Sequence, residues 1–239
     1  MLAPLAEVLA PLLPGEEAGA AIAVVEGDQV SLAFVGAAKL GPGTLFEFGS
    51  ITKVATANLI VQRVLAEALE RDTGLDRLPG GGEIGSQWSG VTLRHLLTHS
   101  SGLSGWPPNW GPVRIVLGGK LGDPFATYDS EDLLVGIRRN SAPETGERWV
   151  YSNYAFAVLG RVLAQETEQP FDSLMRDQFL QRLEMDTATT RGWSGDDIAA
   201  HAPQRRSNEL VFRSLRAGRC SPRQLGRRHR SPSARDGGV

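Results

Sequence analysis

The 239-residue chain contains a single cysteine, Cys220, so no disulfide can close within it, and such usage fits a reducing compartment. Four histidines and that one cysteine leave little material for a metal site. No apolar run approaches the ~20 residues needed to cross a membrane as a helix. Met1 to Pro14 is apolar, but it has no basic stretch and Glu7 interrupts it, so it is not expected to be a secretory signal and a cytoplasmic location is the expectation. Lysine is scarce too, with only Lys39, Lys53 and Lys120.

The net charge of −2 conceals two compositions. Residues 205–239 hold ten arginines against Glu209 and Asp236, a balance of +8, which leaves −10 for residues 1–204. The arginine-rich stretch has little apolar periodicity and reads as a disordered tail, 205–239. Arginine clusters contact nucleic-acid phosphates, but interleaved aromatics and a recognisable binding fold are missing, so no specific nucleic-acid partner is expected. Residues 1–204 have an ordinary globular composition.

Hydrophobic spacing outlines the elements of that body. Leu2–Leu13 reads as a short amphipathic helix stopped by Pro14-Gly15. Ala20–Glu26 and Val30–Gly36 are β-branched and small runs joined by Gly27-Asp28, a hairpin signature. A helix follows from Ser50, with apolar residues at 51, 54, 55, 59, 61, 65, 68 and 69, ending near Arg71 to Gly74. Thr92 caps a short helix to Leu97. Residues 105–124, rich in Gly, Pro and Trp, read as a surface or rim segment. Ser130–Arg138, with Ser130 as cap, Ala155–Glu166 and Phe171–Leu183 read as further helices.

Gly49-Ser50 lies at the mouth of the long helix, where the first N–H groups lack intrahelical partners and serine is a favoured residue. Lys53 stands one turn on, on the same face, so its amine can reach the Ser50 hydroxyl. The positive end of the helix dipole disfavours an ammonium there, which suits Lys53 to act as a base. Ser50 would then be a nucleophile whose own N–H can hold an oxyanion. A serine opening a helix is more often only a cap, and three lysines with seventeen serines give roughly 0.2 chance Ser-x-x-Lys matches. A second constellation, Trp149-Val150-Tyr151-Ser152-Asn153, leads directly into a helix. Tyr151 beside a serine–lysine pair could shuttle a proton, and Asn153 offers a donor and an acceptor to a substrate; an aromatic anchor followed by an Asn cap explains the same residues.

Taken together, Phe46 to Lys53, Leu93 to Leu103 with its Leu-Leu-Thr-His-Ser-Ser-Gly-Leu core, and Trp149 to Asn153 followed by Phe156, Leu159 and Gly160 resemble the beta-lactamase-related serine hydrolases. That group includes class C beta-lactamases, D-Ala-D-Ala carboxypeptidases and related esterases, and the resemblance covers about residues 20–190. It implies an α/β (α+β) fold of the beta-lactamase/transpeptidase type, a helical subdomain beside an antiparallel sheet. It implies that Ser50 is acylated, that Lys53 activates it, that Tyr151 is a general base and acid, and that Asn153 contacts the substrate. It calls for no cofactor and no metal, and for a small-molecule ester or amide as partner, with no membrane. His95 and His99 are four apart, as helical zinc ligands would be, but no Glu stands next to His95, and the resemblance puts the segment in a structural turn.

The resemblance stops short of a third motif, Lys-Thr-Gly or His-x-Gly, which should follow Asn153. No lysine lies beyond that residue, and neither His201-Ala202-Pro203 nor His229-Arg230-Ser231 matches. Arg182-Leu183-Glu184-Met185 stands where Pro-Leu-Gly-Met is usual; if the glycine position is left-handed, Glu184 costs on the order of 1 kcal/mol there. The expectation is a truncated domain over 1–204, with a helix and hairpin to 47 and a mainly helical part over 48–204. Its sheet would be reduced to the first hairpin. The chain would be a serine hydrolase impaired by the missing motif, or a non-catalytic member of the same fold.

Overall fold

A computed structural model describes residues 2–15, 18–36, 40–41, 44, 46, 49–109, 111, 128–139, 144–146, 148–185 and 188. The arginine-rich stretch lies outside the described residues, as does most of the Gly-, Pro- and Trp-rich segment. The described residues form two compact units, one up to Thr44 and one from Phe46 onward.

The first unit contains helix α1 (Leu2–Leu9), a 3-10 turn over Ala10–Leu12, and strands β1 (Gly19–Glu26) and β2 (Gln29–Gly36). The strands pair antiparallel with Val25 opposite Val30 and Ala21 opposite Phe34, and α1 packs on the hairpin. Gly27 takes φ 60 in the connecting turn, a conformation open to glycine at no steric cost. Among the described residues this two-stranded ladder is the sheet.

The second unit is built around α5 (Asn153–Thr167), against which α2 (Thr52–Leu65), α3 (Leu93–Leu97), α4 (Ser130–Arg138) and α6 (Phe171–Met175) all pack. Tyr154, Ala155, Val158, Leu159, Val162 and Leu163 of α5 are buried and meet Leu59 and Ile60 of α2, Leu93 and Leu96 of α3, and Leu134 and Ile137 of α4 in one apolar core. Their i, i+1, i+4, i+5 spacing is that of a helix buried along one face. A bidentate Arg63–Glu166 pair, at 2.7 and 2.8 Å, ties α2 to α5 at the edge of this core.

Of the boundaries that differ from the sequence reading, three have a plain physical reason. Helix α2 stops at Leu65 rather than near Arg71, because Glu67 enters the left-handed region at φ 57 and the N–H groups of Ala68 and Leu69 turn back to the carbonyl of Arg63. Leu69 keeps the apolar period by folding back into the core, which is why spacing alone overran the helix. Asp129, not Ser130, caps α4, its carboxylate accepting the N–H groups of Glu131 and Asp132. The expected helix over Phe171–Leu183 is a single α-turn region followed by a π turn at Arg176–Leu180 and a 3-10 turn at Gln181–Leu183. It ends on Glu184 at φ 54, the left-handed conformation anticipated for that position.

Candidate active site

Ser50 is the middle residue of one 3-10 turn, Gly49–Ile51, that runs directly into α2. Gly49 enters the turn at φ 49, a value that disfavours any residue with a Cβ, so the glycine before the serine is explained by backbone geometry. Ser50 is exposed. Lys53, one turn further, is only 9% exposed, and its amine donates to Ser50 Oγ at 3.1 Å. The same amine donates to Asn153 Oδ1 at 2.6 Å, across a hundred residues of sequence.

Asn153 reaches that position because the chain before α5 is fastened at several points. Ser152 is fully buried; its Oγ donates to the Ser104 carbonyl at 2.8 Å and accepts the Ala155 N–H at 2.9 Å as the helix cap. The Asn153 N–H donates to the Gly105 carbonyl. The alternative sequence reading, in which Asn153 caps this helix, is corrected: Ser152 caps it, and the Asn153 side chain is free to bind Lys53.

Tyr151, 41% exposed, places its ring 4.9 Å from Lys53 Nζ, and the Phe156 ring lies 5.6 Å from the same amine. Partial burial pushes the Tyr151 phenol up, but hydrogen bonding to Lys53 and Ser50, with the Lys53 charge, outweighs it and leaves the phenol below its ordinary value of 10.0. Three residues singled out in the sequence, Ser50, Tyr151 and Asn153, therefore converge on the amine of a fourth, Lys53.

A fifth residue belongs to the cluster, one that the sequence offers only within a turn and as a member of a zinc-like histidine pair. The half-buried ring of His99 lies 4.6 Å from that of Tyr151, 5.2 Å from Phe156 and 5.8 Å from Trp149. Its Nδ1 accepts the Ser152 N–H at 3.0 Å. Burial, and then the charge of Lys53, holds the imidazole below 6.5. His95, its partner in the zinc-like spacing, is engaged elsewhere, completing a capping box with Thr92. Among the described residues no group of three or more His, Cys, Asp or Glu side chains could hold a metal ion.

A family model described as Beta-lactamase matches residues 6–225. Penicillin-binding protein 4 of Amycolatopsis lactamdurans is 32% identical over 181 residues, covering 72% of this chain and 44% of that protein. Esterase EstB of Burkholderia gladioli is 34% identical over 139 residues, covering 53% of this chain and 33% of the esterase. The chain thus spans less than half the length of these curated relatives. Among solved structures, a beta-lactamase/D-alanine carboxypeptidase from Yersinia pestis superposes with a TM-score of 0.66 at 19% identity, over 91% of this chain and 65% of that one. A D-stereospecific amidohydrolase from Streptomyces gives 0.65 at 21%, over 90% and 66%. These likenesses establish a beta-lactamase/transpeptidase-like fold, and with the match over residues 6–225 the chain belongs to the Beta-lactamase family.

Proposed function

We propose that the chain is a serine hydrolase that forms an acyl-enzyme at Ser50 from a small-molecule ester or amide. The observation that carries this reading is the position of one buried amine, Lys53 Nζ, shared between Ser50 Oγ and Asn153 Oδ1 and flanked by the Tyr151 ring. Because Lys53 donates to Ser50 Oγ, the serine's own proton is left to another acceptor, and Tyr151, with its lowered phenol, is the base suited to take it. Ser50 Oγ then attacks the substrate carbonyl, and the resulting oxyanion faces the N–H at the start of the helix. Tyr151 returns its proton to the departing alcohol or amine. In the second half it takes a proton from water, which attacks the acyl carbonyl; collapse expels Ser50 Oγ, which recovers that proton. Asn153, held by Lys53, presents its amide nitrogen toward the substrate side.

The relatives' names span a penicillin-binding protein, an esterase and an amidohydrolase, which supports the ester or amide class and does not select within it. A second reading, a non-catalytic member of the fold, rests on one observation: the residues after Asn153 contain no lysine and no Lys-Thr-Gly or His-x-Gly. An oxyanion donor from such a strand is worth about 3–4 kcal/mol when judged by loss of a comparable donor. A fluorophosphonate probe separates the two. Labelling at Ser50, lost in Ser50→Ala, supports the hydrolase, and absence of labelling supports the non-catalytic reading. Nitrophenyl esters, a chromogenic cephalosporin and D-amino-acid peptides then define the substrate.

A further inference from the structure

His99 occupies a costly backbone position to make its contacts. It follows the last turn of α3 at φ 58, a left-handed position that glycine takes most readily and that few other residues, asparagine and histidine among them, adopt. From there it holds both neighbours of Tyr151. Its carbonyl accepts the Val150 N–H at 2.8 Å, and its Nδ1 accepts the Ser152 N–H at 3.0 Å. Its ring lies closer to the phenol ring than that of Trp149 does, 4.6 Å away with the planes 35° apart against 6.2 Å.

We propose that His99 is a positioning residue for Tyr151: as a neutral ring accepting the Ser152 N–H, it holds the phenol beside Ser50 and Lys53, and its protonation releases that hold. The proposal rests on the reading of Tyr151 as the proton shuttle. An acceptor at Nδ1 requires the tautomer with hydrogen on Nε2. Protonation would place a second hydrogen against the Ser152 N–H and break the bond. The titratable groups facing the ring are Lys53 of α2 and Tyr151 of the segment before α5; Trp149 and Phe156, its other ring neighbours, carry no charge, and His95 of α3 is bonded to Thr92. A cationic Lys53 beside the ring opposes its protonation, so the hold persists at neutral pH and fails in acid.

The backbone supplies a clean test. His99→Gly suits φ 58 and keeps the carbonyl that binds Val150, so its effect reports loss of the ring rather than strain. His99→Asn also tolerates this conformation and can offer Oδ1 in place of Nδ1 without titrating. In the full chain, fluorophosphonate labelling of Ser50 is expected to slow about tenfold in His99→Gly and to stay within about threefold of the parent in His99→Asn, the scale of one buried hydrogen bond lost or kept. Plotted against pH, the logarithm of the parent's rate should fall with slope one as Tyr151 protonates and steepen below the His99 pKa. That steepening should vanish in His99→Asn.

Carbon NMR of the Tyr151 ring gives a readout that does not need activity: the phenol should titrate closer to 10.0 in His99→Gly than in the parent. Labelling of His99→Gly at the parental rate, or the same steepening in His99→Asn, overturns the proposal. If Ser50 is not labelled even in the parent, the hydrolase reading fails by itself. The phenol titration then decides for His99: a shift in His99→Gly supports positioning, and an unmoved phenol refutes it.

Discussion

At the scale of single residues, the candidate site divides into what is local and what is not. Ser50 and Lys53 are one helical turn apart, so their contact is legible from spacing alone, whereas the left-handed conformation of Glu184 is legible only through the resemblance, in which a glycine is usual there. His99 was not legible. Its role depends on a bond to Ser152, fifty-three residues away, and the only signal in the sequence was a histidine where the end of a short helix favours Gly or Asn. In the proposed chemistry Ser50→Ala should abolish phosphonate labelling, and Lys53→Ala should slow it about a hundred-fold or more, because the amine that donates to Ser50 Oγ and lowers the Tyr151 phenol is lost, and with it the positioned proton transfer through Tyr151. The phenol of Tyr151 lies below 10.0, so its reactive phenolate form grows as pH rises through that lowered value; labelling should rise with pH over that window and level off above it. Tyr151→Phe should flatten the profile. A profile unchanged in Tyr151→Phe would remove the tyrosine from the mechanism.

Glu184→Gly makes a separate prediction, confined to stability. A glutamate at φ 54 carries a left-handed penalty that glycine escapes, offset in part by glycine's greater freedom when unfolded. A net gain of about 0.5–1 kcal/mol is expected, a rise in Tm of about 2–3 °C for a body of this size. Thermal unfolding followed by circular dichroism checks it, and a fall in Tm would mean that the glutamate makes a compensating interaction.

At the scale of elements, the sequence located each helix and the bounds of α3 and α4, but not the ends of α2 or of the Phe171–Leu183 segment, because left-handed turns and tightened turns are chosen by side chains that apolar spacing does not see. The two caps on α4 and α5 show the difference in consequence. Asp129 binds two N–H groups at an exposed helix start, whereas Ser152 is fully buried and bonded both to Ala155 and to the loop carbonyl of Ser104. Removing the exposed cap in Asp129→Ala should cost about 1 kcal/mol. Ser152→Ala should cost about 2 kcal/mol or more, because the Ser104 carbonyl and the Ala155 N–H lose their partner at a buried site. The larger loss should also reach the site, since Ser152 stands between Tyr151 and Asn153. Urea unfolding of both variants, with phosphonate labelling rates beside it, tests the ordering; equal costs would mean that burial of the cap does not matter.

At the scale of the whole molecule, the hairpin and the helical unit were both foreseen, as was a sheet of two strands among the described residues, because patterns of period two and 3.6 are written in the chain itself. What spacing could not show is that α2 presents a second apolar face. Ile51, Val54, Val61 and Leu65 recur at helical intervals and are 61%, 66%, 46% and 79% exposed, while Leu59 and Ile60 on the other side are buried. Apolar surface gathered in one stripe promotes association, and each such side chain gains about 1.5–3 kcal/mol on full burial. The chain is therefore expected to self-associate as concentration rises, through α2 rather than through its polar faces. Val61→Gln with Leu65→Lys removes half of the stripe away from Ser50, and the lysine also complements the negative end of the helix. Light scattering should show the onset of association moved to higher concentration in this double variant, with Tm nearly unchanged because neither side chain is buried. If the parent is monodisperse at high concentration, or if the double variant associates as readily, the exposed stripe is not the adhesive surface.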